Sequence, residues 1–212
     1  MIINILCDNK HSWFWKYKED LINELLEKDF QINLCNHEDD LIPADIAAFI
    51  SCIRLVSSEG LSKSKSNIVC HPSDLPSGKG SSPIAWEIIG GNNELTFTLF
   101  EAIEGVDSGQ VYSKKKVNLI GDELNDEIKK IQAEITFAMI IDYIKSYPNY
   151  ESYPQSGKES FYKRRTPADC ELDINKSIKE QFDLLRTVDN ENYPAFFNFR
   201  DNKYILKIKK DN

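Results

Sequence analysis

No apolar run in the chain approaches the roughly 18 residues that a membrane-spanning helix needs, so no membrane partner is expected. No Cys-x-x-Cys pair occurs and histidine appears only three times. That is a poor inventory at metal-site spacing, and no metal is expected. Gly78-Lys79-Gly80-Ser81-Ser82 fits neither G-x-x-x-x-G-K-[ST] nor G-x-G-x-x-G, which argues against a nucleotide triphosphatase. There is no G-x-S-x-G elbow for a serine hydrolase. A basic excess is missing too: 34 acidic residues face 26 basic ones, a formal charge of −8, which speaks against nucleic acid as the main partner. Five cysteines cannot all pair. Cys7, Cys35, Cys52 and Cys70 each close an apolar, strand-like run, the place of small buried hydrophobes in a reduced, cytoplasmic protein. The opening MIINILCDNK is too short and wrongly flanked for a secretory signal and reads as a first strand.

What is present suits a folded domain. The 212 residues are 41% apolar and 11% aromatic, enough for a core in one domain with an appendage. Ile2 to Cys7, Gln31 to Cys35, Ala44 to Cys52 and Asn67 to His71 are short apolar runs without clean alternation. They read as strands of a parallel sheet covered on both faces. Leu21, Ile22, Leu25 and Leu26 fall at helical spacing within residues 15–28, and residues 57–65 hold a short helix or a loop. Pro72 to Pro83 is a loop, Ile84 to Gly91 a short helix ended by glycines, and Leu95 to Ala102 a strand. Val106 to Leu119 gives a turn and a further strand, and Leu124 to Tyr147 a long helix. The polar tract 148–158 marks a change of module, so residues 1–150 are read as the core and 151–212 as a C-terminal segment. That segment carries a basic cluster, a helix over 177–186, an aromatic cluster and a last strand over 204–208.

Two residues stand where chemistry could sit. His71 ends a strand just before a loop of small residues, where open α/β sheets place ligands. It either serves a substrate there or bonds a nearby backbone group. Asp107 opens Asp107-Ser108-Gly109, a strong turn signal, so it either caps that turn or reaches the same mouth as His71.

The run HPSDLPSGKGSSPIAWEIIGG, followed by LTFTLFEAIEGVDSGQVY, resembles the formyltransferase superfamily that includes methionyl-tRNA formyltransferase. In that family a strand ends in Asn-x-His-x-Ser, then comes Leu-Pro and a Gly-containing loop ending in Pro. An Asp-x-Gly turn follows some thirty residues on. His71, Ser73, Leu75, Pro76, Gly80, Pro83, Asp107 and Gly109 match in order. The tail from Phe161 to Phe197 resembles the closing segment of small bacterial sugar N-formyltransferases, which act on nucleotide-linked amino sugars, including the pseudaminic and legionaminic type. One position departs: Val69 stands where the family has its catalytic Asn. Asn67 is a poor substitute, being four residues, or about 13 Å of strand, before His71.

The resemblance implies a three-layer Rossmann-like fold with a mostly parallel sheet, helices on both faces and a short C-terminal α+β appendage. It implies 10-formyltetrahydrofolate as formyl donor and a nucleotide-linked amino sugar as acceptor. His71 would donate a hydrogen bond to the developing oxyanion, and Asp107 would hold His71 and take the proton lost by the amine. The donor would lie against Ile53, Arg54, Leu55, Val56, Ser73, Asp74, Leu75, Pro76, Ile103 and Val106. The acceptor would meet Ser81, a pyrophosphate clamp of Lys163, Arg164 and Arg165, and a stacking surface of Tyr193 and Phe196, with Phe197 beside it. Trp13 and Trp15 either meet ligand or pack the helix start. Exposed tail aromatics would suit a homodimer. Hydrolysis of formyltetrahydrofolate and a non-catalytic folate- or nucleotide-sugar-binding paralogue are the competing readings, the second kept open by Val69.

Overall fold

Ile3 and Ile5 point to one side of the first strand and Asn4 and Leu6 to the other, and all four are buried. A strand covered on both sides needs no polar alternation, which explains the unbroken apolar runs. The computed structural model, which describes Met1–Asp211, builds a six-stranded sheet from them. In chain order the elements are β1 (Ile2–Leu6), α1 (Phe14–Leu26), β2 (Gln31–Cys35), β3 (Ala44–Phe49), α2 (Ser58–Ser62) and β4 (Ser64–His71). Then come β5 (Lys79–Gly80), α3 (Pro83–Ile89), β6 (Glu94–Glu101), β7 (Val111–Asn118) and α4 (Asn125–Ser146). The tail adds β8 (Phe161–Tyr162), α5 (Phe182–Arg186), β9 (Ala195–Phe199) and β10 (Asn202–Leu206).

The strand order is β2-β1-β3-β4-β6-β7. The first four are parallel, whereas β6 runs antiparallel to β4 and β7 antiparallel to β6. The two sides are unequal. Residues of α1, α3 and α4 pack with Ile3, Ile5, Ile46, Ile68, Phe97 and Leu99 in the main core. The opposite face is thin: Leu6, Ala47 and Phe49 lie under Leu41, Val56 and Leu61, from loops and the five-residue α2. Buried Asn4 stitches that face together. It donates to the Ile42 carbonyl at 2.8 Å and the Ser64 hydroxyl at 3.1 Å, and accepts from Asn33 at 2.7 Å.

Several expected boundaries move. The strand ending at His71 starts at Ser64 rather than Asn67, because parallel pairing with β3 extends it through polar residues that carry no apolar signal. Leu26, placed by its spacing on the buried face of the first helix, is 51% exposed at the helix end. The helix expected over 177–186 is a 3-10 turn at Lys179–Gln181 followed by α5. The last strand pairs with β9, an element that the aromatic cluster had hidden. Cys7 and Cys35 are buried, while Cys52 and Cys70 are only partly so, and all five cysteines are free. Among the described residues, no helix is long and apolar enough to cross a membrane, and no group of His, Cys, Asp or Glu could hold a metal ion.

The tail has its own small core of Cys170, Leu172, Leu185, Val188, Ala195 and Phe196. Arg186, fully buried, joins it to the main body: it bonds Asp183 at 2.7 Å and the Asn93 side chain, and Glu123 lies 3.6 Å away.

Candidate active site

His71 is the last residue of β4, and its side chain is only 9% exposed. Nε2 lies 2.9 Å from the Gly78 carbonyl. A carbonyl only accepts, so Nε2 carries the hydrogen. The other nitrogen, Nδ1, faces Asp107 Oδ1 at 3.7 Å, close enough for charge interaction but beyond a hydrogen bond. The expected direct bond between the two is therefore absent, and the Gly78 carbonyl is what orients the ring.

Asp107 does not come from the end of a parallel strand. It sits in the loop 102–110 that joins antiparallel β6 and β7 and is closed by Glu101 N–H donating to the Gln110 carbonyl at 2.8 Å. Its φ is +47°, in the left-handed region that Asp tolerates better than most side chains. Gly109 is required because a Cβ there would fall 1.8 Å from the Glu101 carbonyl oxygen. Turn signal and functional signal thus coincide in Asp107-Ser108-Gly109. Asp107 Oδ2 accepts the Gly80 N–H at 2.9 Å, which leaves Oδ1 as the free oxygen beside the imidazole.

The pair opens into a cleft of about 1370 Å³. A site for one small ligand usually measures about 300–1,000 Å³, so this one has room for two. Its walls come from the ends of β1, β3 and β4, the loop 102–107, α4 and the tail. On one wall Ile53, Leu55, Ile103 and Val106 are 59%, 65%, 43% and 43% exposed. Such apolar exposure at a cleft suits a flat ring system. Asp8 fixes this wall by accepting the Ile53 and Arg54 N–H groups at 2.7 and 3.1 Å, so those two N–H groups are not free to read a ligand edge. Cys52 also lines the cleft, but burial pushes its thiol up to about 12, so it is no nucleophile at neutral pH.

Of the residues singled out from sequence, Ile53, Arg54, Leu55, Val56, Ile103, Val106, Ser81, Arg164, Arg165 and Tyr193 line the cleft with His71 and Asp107. The remaining six of the expected donor and acceptor contacts lie outside it, as does Phe197. Ser73 is 2% exposed with an unpartnered hydroxyl, and its carbonyl accepts from Thr98 at 2.7 Å. Leu75 is fully buried. Asp74 faces outward to Lys114 at 2.6 Å, and Pro76 shares that turn, its carbonyl accepting from Ser160 N–H. The stretch 73–76 therefore shapes the loop rather than the cavity. Lys163 pairs with Asp169 at 2.5 Å and sits over the Trp86 ring. Phe196 belongs to the tail core beneath Lys203.

The basic cluster splits. Arg165 donates to the Thr187 carbonyl at 2.8 Å while its Nε and Nη2 are buried without a partner beside the cleft, and Arg164 is exposed there. Trp13 lines the cleft, whereas Trp15 bonds the Asn9 carbonyl at the helix start. Val69 lines the cleft as well, and Asn67 is committed elsewhere, donating to the Leu61 carbonyl at 2.9 Å.

Sequence reasoning missed Asp8, Lys129 and Asp189. Asp8 follows a parallel strand at its carboxyl end, a position that could have flagged it. Lys129 and Asp189 pair at 2.8 Å across the cleft, between α4 and the tail, which no local signal announces.

Residues 25–144 match the family model described as formyl transferase. The methionyl-tRNA formyltransferase of Thermosipho melanesiensis is 31% identical over 119 residues, which is 56% of this chain and 39% of that protein. The chain spans about half the length, or less, of the curated relatives it matches. Among solved structures, the methionyl-tRNA formyltransferase from Clostridium thermocellum superposes with a TM-score of 0.79 at 20% identity, over 100% of this chain and 93% of that one. A sugar N-formyltransferase from Shewanella sp FDAARGOS_354 gives 0.74 at 17%, over 100% and 98%. HypX from Aquifex aeolicus in complex with tetrahydrofolic acid gives 0.73 at 16%, over 97% and 37%. At such identities the superpositions establish a common fold. With more than half of its length matched by the family model and the His71–Asp107 pair set in an open cleft, the chain belongs to the formyl transferase family.

Proposed function

We propose that the chain transfers a formyl group from 10-formyltetrahydrofolate to the amino group of a nucleotide-linked amino sugar. The observation that carries this reading is His71 facing Asp107 inside a cleft with room for two ligands. The tetrahydrofolic acid held by HypX supports a folate donor, and the fold likeness to sugar N-formyltransferases supports a sugar acceptor. The net charge of −8 argues against transfer to a tRNA.

The wall of Ile53, Leu55, Ile103 and Val106 fits the donor, which supplies an activated one-carbon unit when bound. The chain's own groups then have separable tasks. Asp107 Oδ1 is free to take the proton lost by the amine, while Gly80 N–H holds the other oxygen in place. The Gly78 carbonyl occupies His71 Nε2, so His71 must act through Nδ1. Donation from Nδ1 requires the doubly protonated ring, for which Asp107 is the countercharge. One such donor to developing negative charge is worth about 2.7–4 kcal/mol of barrier.

For the acceptor, Arg164, Arg165, Ser81 and Tyr193 of the expected set line the cleft, with Lys10 and Lys129 beside them. In this reading residues 1–150 form the catalytic core and 151–212 help hold the sugar nucleotide. Exposed Phe199, Tyr204 and Ile205 on the β9–β10 hairpin suit a homodimer, which sedimentation of the full chain tests.

Val69 favours one competing reading, a folate binder without turnover, because it removes the side-chain donor that the family pattern supplies. A panel of nucleotide-linked amino sugars incubated with 10-formyltetrahydrofolate separates the cases. Stoichiometric folate release and acceptor formylation are expected. Release without acceptor means hydrolysis, and folate binding without release under any condition means a binding module.

A further inference from the structure

The segment between the long helix and the tail core lies outside the matched family region, yet it bonds Asp107 directly and reaches His71 through Gly78. Gln155 Nε2 donates to the carbonyl oxygens of Asp107 and Gly109, both at 2.9 Å. These two bonds clamp a loop whose key residue has a left-handed backbone. Five residues on, Ser160 Oγ accepts the Gly78 N–H at 2.9 Å, and the Ser160 carbonyl accepts the Lys79 N–H at 2.9 Å. Gly78 is the residue whose carbonyl orients His71. β8 then pairs with β5, setting Gly80 opposite Tyr162, and Gly80 is the residue whose N–H holds the Asp107 carboxylate. A Cβ on Gly80 would fall 2.5 Å from the Tyr162 carbonyl, so the two chains are in close contact. Further back, Tyr153 and Val111 exchange backbone bonds at 2.8 and 2.9 Å, which ties the same segment to the start of β7.

The geometry points to residues 153–162 as a strap that sets the relative position of His71 and Asp107, with Gln155 and Ser160 as positioning residues. Neither lines the cleft, so neither is catalytic. The 3.7 Å separation of the pair is fixed by no direct bond. It is fixed by two loops, and the strap is bonded to both. The strength of this device lies in its reach: one short segment constrains the turn of Asp107, the acceptor of His71 Nε2 and the donor to Asp107 Oδ2. A family-sized core without residues 153–162 would keep the catalytic side chains and lose their registration.

This inference rests on the formyl-transfer reading for its kinetic arm, and hydrogen exchange tests it without any turnover. Gln155→Met keeps size and removes the donor, Gln155→Glu sets a carboxylate against two carbonyls, and Ser160→Ala removes the acceptor at Gly78. In the full-length chain, exchange of the Gly80 amide is expected to speed up about tenfold or more in both Gln155 variants, and that of Gly78 in Ser160→Ala, with the overall unfolding midpoint little changed. In turnover, kcat is expected to fall about ten- to a hundredfold while both KM values stay within about twofold, since misplacement by an ångström costs that much without touching binding. Gln155→Glu should lose more than Gln155→Met. Native protection of the Gly78 and Gly80 amides in folded variants would overturn the strap, as would wild-type kcat in Gln155→Met. If the wild-type protein formylates no acceptor, the function proposed above falls while the exchange arm still decides the strap; should Gln155→Met fail to fold, Ser160→Ala supplies the same two readouts.

Discussion

Val69 concentrates the chemical question in one side chain. It lies two residues before His71 on the same face of β4 and borders the cleft. An isopropyl group there can stabilise no negative oxygen, so in the proposed reaction His71 acts without a side-chain partner on its own strand. Val69→Asn is therefore expected to raise kcat about tenfold or more, part of what one well-placed donor contributes. Steady-state kinetics with saturating donor checks this, and an unchanged or lower kcat in a folded variant would mean that the site draws its donors from elsewhere. This much was legible in the sequence, because a strand-end histidine and an Asp-x-Gly turn are local patterns. The carbonyl that orients the ring was not legible. Gly78 reaches His71 only after the loop closes on β8, more than eighty residues away in the chain.

At the scale of elements, the tail is attached by a buried guanidinium. Arg186 ends α5 with no exposure, bonded to Asp183 and Asn93 and close to Glu123. Removing one member of such a buried group leaves the others unpaired, which costs about 3–5 kcal/mol. Arg186→Ala is expected to lose stability on that scale in denaturant unfolding, and a loss under about 1 kcal/mol would show that the anchor is dispensable. The strands of the parallel half were legible as short unbroken apolar runs, and α4 as an apolar spacing repeated over several turns. Such patterns fail on the tail for a physical reason: α5 is five residues long and β9 hides in an aromatic cluster, so their positions are set by packing around Cys170 and Leu185 rather than by local preference. The same holds for β4, whose first three residues, Ser64-Lys65-Ser66, are strand because β3 pairs with them.

Taken whole, the molecule closes its cleft by joining α4 to the tail. Lys129 and Asp189 meet at 2.8 Å, each side chain mostly covered. Burial alone would push the Asp189 carboxyl up, but the Lys129 ammonium and the N–H groups of Asn192 and Glu191 more than offset it and hold it well below the ordinary aspartate value of 3.8. A carboxyl depressed in the folded state adds stability that is fully present above its unfolded value and is lost as pH falls through the folded one. Asp189→Asn is therefore expected to cost roughly 1–2 kcal/mol at neutral pH, after allowance for partial exposure, and to cost progressively less on acidification below that ordinary value. Unfolding curves across that range check it, and a penalty that does not shrink in acid would assign the pair no such role.

The account turns on Asp107 as proton acceptor beside His71. The decisive measurement is the mass of a nucleotide-linked amino sugar after incubation with 10-formyltetrahydrofolate and either wild-type protein or Asp107→Asn. The wild type should add one CO unit to the amine, while the variant, folded to the same extent, should add none over the same time. Formylation at equal rates by both would contradict the assignment.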